Sequence, residues 1–188
     1  MAAIYRLIPN LELSEESLGT WFEEQGWVFG KELSADPEMG RSRDVVWVDA
    51  DSETTLHLVN DAETGVRYVA FAGERAKAFY EQYRDEDSIF YPKEPLLATP
   101  FHGKDSESQI RAIFYVGASA PPEYDADYYE VMNAFLGHPD PQVRLETVAA
   151  IAFSDWPEFR ERIEELRDED PDPRVASAAN DFLSYSED

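Results

Sequence analysis

The pattern of apolar and polar positions divides the chain into a first part of mixed period and a second part of sustained helical period. Near the start, Ala3–Ile8 reads as a short strand. Leu18, Trp21, Phe22 and Gln25 then fall on one helical face behind Ser14. Ser14 suits an N-cap, Glu15 and Glu16 suit the positive helix end, and Gly26 suits the C-cap, so a helix is predicted over 14–25. Three alternating runs follow: DVVWVD (44–49), TTLHLVN (54–60) and VRYVAFA (66–72). Short polar turns separate them, as in an antiparallel meander. Gly73 ends the meander, and Ala76, Phe79, Tyr80 and Tyr83 recur at helical spacing over 74–83. Residues 1–84 are therefore expected to form a small α+β domain. It should have an antiparallel sheet of three or four strands covered by one or two helices.

Residues 85–104 carry Pro92, Pro95 and Pro100 and keep no regular period. They are predicted to be a proline-containing connector with one short helical turn at 95–98. From Asp105 the chain is helical and self-similar. Ile110-Arg111 and Val143-Arg144 lie 33 residues apart, and Val143 and Val175 lie 32 apart. A period near thirty with two helices per repeat marks a helical solenoid. Helices are predicted at about 107–118, 125–136, 141–153, 157–167 and 173–183, with Val143, Val148, Ile151, Phe159, Ile163 and Leu166 buried. Asp140-Pro141 and Asp172-Pro173 each offer an N-cap followed by a first-turn proline. Asp155 and Glu158 have the spacing of a reciprocal cap.

Asp140-Pro141-Gln142-Val143-Arg144, with the alanine-rich run after it, resembles the HEAT-repeat family, and Asp172-Pro173-Arg174-Val175 with Ala178-Ala179 is a second, weaker match. The resemblance covers roughly residues 105–185, under half of the chain. It implies stacked helical hairpins, a role in protein contacts, and a concave side lined by the second helix of each hairpin. The first repeat departs from the pattern, with Ser106 for the proline and Phe114-Tyr115 for small residues. Ala176 stands where the second repeat has Arg144, so a ladder of arginine–aspartate pairs between repeats is not expected. The full expectation is thus α+β: the small sheet domain, then a short α-helical HEAT-like array of two and a half repeats.

Charge adds the next constraint. The net charge is −24, and residues 105–188 hold 20 acidic against 6 basic side chains. Such a field repels nucleic acid and anionic membranes and attracts basic partners. Two sources of the acidity stay open: a general adaptation to salt, or a surface aimed at a cationic partner. There is no cysteine, so disulfides and thiolate chemistry are excluded. No apolar run is long enough to span a membrane, the start does not read as a signal peptide, and a cytoplasmic location is expected.

No catalytic residue, metal ligand or cofactor site is predicted. Asp49-x-Asp51-x-Glu53 and Asp168-x-Asp170-x-Asp172 open like calcium loops but lack the required glycine and the closing acid. His57, His102 and His138 form no ligand pair at metal spacing. Tyr124, Tyr128 and Tyr129 sit beside Asp125 and Asp127, either as a mixed surface for a basic partner or as ring packing beside a helix start. The expected function is a non-enzymatic protein-binding module, an inhibitor or immunity-type protein being one form, whose acidic surface engages a basic protein. The expected contact residues are Asp127, Glu130 and Asn133, with Glu158, Glu161, Arg162 and Glu165. The rivals are an acidic nucleic-acid mimic and an enzyme with its site between the two domains.

Overall fold

The computed structural model describes residues 3–51 and 53–185. The chain forms two compact units, Met1–Lys93 and Glu94–Asp188. The first is a five-stranded antiparallel sheet with two helices. The second is all helical, so the α+β organisation holds. Among the described residues no helix is long and apolar enough to cross a membrane.

The sheet comprises β1 (Tyr5–Leu7), β2 (Trp27–Leu33), β3 (Arg43–Asp49), β4 (Thr55–Asn60) and β5 (Arg67–Ala72), in the order β1-β5-β4-β3-β2. Every pairing is antiparallel. Strand periodicity of two sends Tyr5, Leu7, Val45, Trp47, Leu56, Leu58, Val69 and Phe71 to one face. There they pack on Leu18 and Phe22 of α1 (Glu15–Glu24) and on Ala76, Phe79 and Tyr83 of α2 (Ala76–Tyr83). Ser14 caps α1 by accepting the Ser17 N–H at 3.0 Å. Gly73 has φ +120°, and a Cβ there would lie 2.8 Å from Thr54 Cα, so only glycine suits the turn into α2.

The fifth strand, β2, exceeds the predicted three or four. Gly30 interrupts its sequence at a bulge, and every residue after Trp27 is exposed, so no alternation marked it. Residues 93–102 also differ from the expected connector. They form a ten-residue helix, α3 (Lys93–His102), rather than one turn. Pro95 lies in its first turn, where the missing N–H has no helical acceptor, and Pro100 lies near its end.

The helical unit continues with α4 (Ser106–Ser119), α5 (Ala126–Leu136), α6 (Pro141–Ile151), a 3-10 turn (Pro157–Phe159), α7 (Arg160–Glu169) and α8 (Pro173–Tyr185). Helix α6 packs between α4 and α8, α5 lies against α4 and α6, and α7 lies against α8. Val143, Val148, Ile151, Phe159, Ile163 and Leu166 are all buried, at 0–5% exposure. Asp105 caps α4 in a reciprocal box with Ser108. Asp140 caps α6 by accepting the Gln142 N–H at 2.9 Å. The cap expected from Asp155 and Glu158 is absent. Trp156 occupies the cap position without a side-chain bond, and Asp155 takes a left-handed conformation, φ 50°, that directs the chain out of α6.

Helix α4 approaches α6 closely at Gly117. A Cβ there would fall 2.4 Å from the Ala150 carbonyl oxygen. Gly117→Ala must push these helices apart. Although alanine favours helix, the variant should lose about 1–3 kcal/mol of unfolding free energy in urea titration. A neutral or stabilising effect would show that the approach is not this tight.

Candidate functional site

The helix starts of the second unit are joined by polar side chains. Ser106 at the start of α4 donates a hydrogen bond to Asp140, the cap of α6. Arg174 at the start of α8 donates from Nη1 to Gln142 Oε1 at 3.1 Å, and from Nη2 to Asp172 at 2.8 Å. Between these contacts Arg144 forms a two-pronged pair with Asp170, Nε to Oδ2 at 2.8 Å and Nη2 to Oδ1 at 2.7 Å. Its Nη1 donates to the His138 carbonyl at 2.8 Å, and the Asp170 side chain is 2% exposed. The sequence did not suggest a ladder, and what forms is this single rung. The Asp170 partner comes from the loop after α7, twenty-six residues on, where no repeat position marks it.

The predicted contact residues lie at the surface. Asp127, Glu130, Glu158, Glu161 and Glu165 are exposed, and Asn133 and Arg162 are half-buried. Arg162 is the single cation among them, and its Nη1 is held by Glu165 at 2.6 Å. Both line a shallow groove of about 380 Å³ with His138, Arg144 and Asp170, so this part of the set belongs to the surroundings of the buried rung.

A second grouping was only half legible. Tyr128 turns inward, at 4% exposure, while Tyr124 remains 48% exposed. The Tyr124 ring packs edge-on against Trp156, at 5.5 Å between centroids, and against Tyr129 at 5.8 Å. Tyr129 in turn stacks on Phe159 at 4.7 Å. Partial desolvation, then Tyr129, Glu158, Glu130 and Asp125, hold the Tyr124 phenol above its ordinary pKa. Carboxylates from α5 and from the turn before α7 therefore converge on one exposed ring. The Trp156 indole N–H fixes this loop pair by donating to the Pro121 carbonyl at 3.0 Å. The structure separates the rings: Tyr128 is core and Tyr124 is surface.

In the first unit His57 joins Asp44, Nδ1 to Oδ2 at 2.9 Å, and Thr55, Nε2 to Oγ1 at 2.9 Å. The order carboxylate, imidazole, hydroxyl is that of an activated nucleophile. Thr55, however, sits within paired strand, opposite Val48 on one side and Ala72 on the other. Its neighbouring main-chain N–H groups serve the ladder and do not converge on a reacting atom, as an oxyanion site requires. The chain of bonds is a polar strap joining β3 to β4. His138 accepts the Asp140 N–H at 3.1 Å, and its ring stacks on Phe135. Four of the six carboxylates of the two calcium-like runs are engaged by arginines: Asp49 by Arg75, Asp168 by Arg167, Asp170 by Arg144 and Asp172 by Arg174. Among the described residues no cluster of three or more histidine or acidic side chains is arranged to hold a metal ion.

Comparison of the chain with protein-family models, with curated proteins and with solved structures returns no match. Function must therefore be argued from these surfaces.

The caps and the rung impose a pH dependence. The Arg144 hydrogen bonds lower the Asp170 pKa, the Ser106 bond lowers that of Asp140, and the Arg174 bonds bring Asp172 down to about 2. Each group is more acidic folded than unfolded. Its stabilisation is complete above the unfolded value, about 3.9, and is lost as pH falls through the folded value. Helicity followed by circular dichroism should accordingly fail below about pH 4. Asp170→Asn should cost roughly 1–3 kcal/mol at pH 7. The gap between variant and wild type should narrow toward pH 2, and a pH-independent gap would show that charge on Asp170 is not what matters.

Proposed function

We propose that the protein is a cytoplasmic, non-enzymatic protein-binding module, and that the acidic face of its HEAT-like helical unit engages a basic protein. The observation that carries this reading is the convergence of exposed carboxylates from α5 and the α7 segment around Tyr124. Glu130 and Glu158 act on the Tyr124 phenol, and Asp127, Glu161 and Glu165 are further exposed carboxylates of the same helical segments. Arg162, the one cation of the predicted contact set, is already neutralised by Glu165. A surface of this kind attracts lysine and arginine side chains over long range, and an exposed tyrosine ring among carboxylates offers a cation a face to rest on. Binding without chemistry is the economical reading, since the Asp44–His57–Thr55 chain, the arrangement closest to a catalytic relay among the described residues, lies within paired strands.

Charge of this kind acts mainly on encounter. The partner would be recovered by affinity capture from the source organism and studied by surface plasmon resonance. The variant combining Asp127→Lys, Glu130→Lys, Glu161→Lys and Glu165→Lys should keep its thermal stability, since exposed charges contribute little. Its association rate at low salt should fall by roughly tenfold or more, with a smaller change in dissociation. An unchanged association rate would place the contact on another surface.

A further inference from the structure

On α6 and α8, in the row that also contains α4, the structure opens a second surface. An open groove of about 630 Å³ runs between these two helices. Its walls are apolar: Leu145, Ala149 and Ala152 on α6 and its end, and Ala178, Phe182 and Tyr185 on α8. Leu145, Ala149 and Ala152 fall at i, i+4 and i+7 along α6 and its end, and Ala178, Phe182 and Tyr185 fall at i, i+4 and i+7 along α8, so each helix turns one face to the trough. Ala149 and Ala152 are exposed, and so is Tyr185, at 85%. The groove is apolar because small side chains on α6 leave space beside larger ones on α8.

The rim decides what could occupy it. Glu146, Asp155 and Asp181 are the charged residues around the groove, and all three are acidic. We infer that this groove is a docking site for a basic amphipathic helix of a protein partner. Its apolar stripe would lie in the trough and its lysine or arginine side chains would meet the rim. The length agrees: Leu145 to Ala152 spans about 10 Å of helix, which two turns of a partner cover with anchors at i, i+3 or i+4, and i+7. Other occupants suit the rim less well. A second copy brings another −24 of charge, and Ser186-Glu187-Asp188, which follow Tyr185, add two carboxylates. An anionic membrane is repelled for the same reason. The inference shares with the proposed function the premise of a cationic protein partner, but it places a contact on other helices and gives it a different chemistry.

The test uses the full chain, labelled with nitrogen-15, and a synthetic fourteen-residue helix of leucine and lysine with the leucines on one face. A scrambled peptide of the same composition and a version with glutamate for lysine serve as controls. The amphipathic basic peptide should shift the amide resonances of Leu145, Ala149, Ala152 and Phe182, and the two controls should not. Ala149→Phe fills the trough from an exposed position without disturbing the core, and it should weaken peptide binding by roughly tenfold or more. The four-lysine variant of the α5 and α7 surface should leave these groove shifts in place. Shifts confined to α5 and α7 would overturn the groove while leaving the proposed function standing. Equal binding of the scrambled peptide, an unaffected Ala149→Phe variant, or no shifts with any peptide would also overturn it.

Discussion

The buried pair between Arg144 and Asp170 is the contact on which the geometry of the helical unit depends. Arg144 reaches from the first turns of α6, yet its guanidinium serves two loops. It takes the Asp170 carboxylate after α7, and the His138 and Pro139 carbonyls after α5. Asp170 also accepts the Asp172 N–H at 2.9 Å and so orders the start of α8. Taking both charges out of water is costly and is offset only where the donors and acceptors are satisfied. The fork geometry of arginine does this here, and a lysine could not. One pair therefore fixes where α5 ends, where α7 ends and where α8 begins.

The two proposed contact surfaces rest on other features of the helical unit. The carboxylates around Tyr124 are brought together by the loops that Trp156 ties to Pro121, and the groove needs α6 and α8 in register. The acidic faces repel one another, and a loosely packed chain of this charge would expand. The unit resists through a continuous core in which Val143, Phe159, Ile163, Val175 and Ala179 are fully buried. A platform ordered in advance loses less entropy on binding than a segment that must fold first. In the binding proposed above, acidity would act on encounter and rigidity on retention.

Much of this was legible in the sequence where a local rule decides the outcome. Asp140-Pro141 and Asp172-Pro173 mark the starts of α6 and α8 because a capping carboxylate and a first-turn proline act within a few residues. Leu56 and Leu58 mark β4 because a half-buried strand must alternate. The misses share another cause. Strand β2 is an exposed edge with Gly30 at a bulge, so it never needed an alternating pattern. Helix α3 was hidden by prolines that fall at tolerated positions. Asp155 was read as a cap, whereas its positive φ serves the turn. The exposed residues of the acidic surface could be named in advance, but the approach of Glu130 and Glu158 to Tyr124 could not, because loop geometry sets it. The groove was not legible, because it is formed by exposed small side chains on α6 that no burial pattern marks.

The account stands or falls on whether Arg144 and Asp170 act as one unit, and a double-mutant cycle measures this directly. Arg144→Ala, Asp170→Ala and the double variant would be unfolded in urea at pH 7. Each single change leaves a buried charge without its partner, so the double variant should lose far less than the two losses added together. The difference should be about 1.5–3 kcal/mol. Losses that add to within about 0.5 kcal/mol would mean the residues are independent. The helical unit would then owe its geometry to something other than this pair.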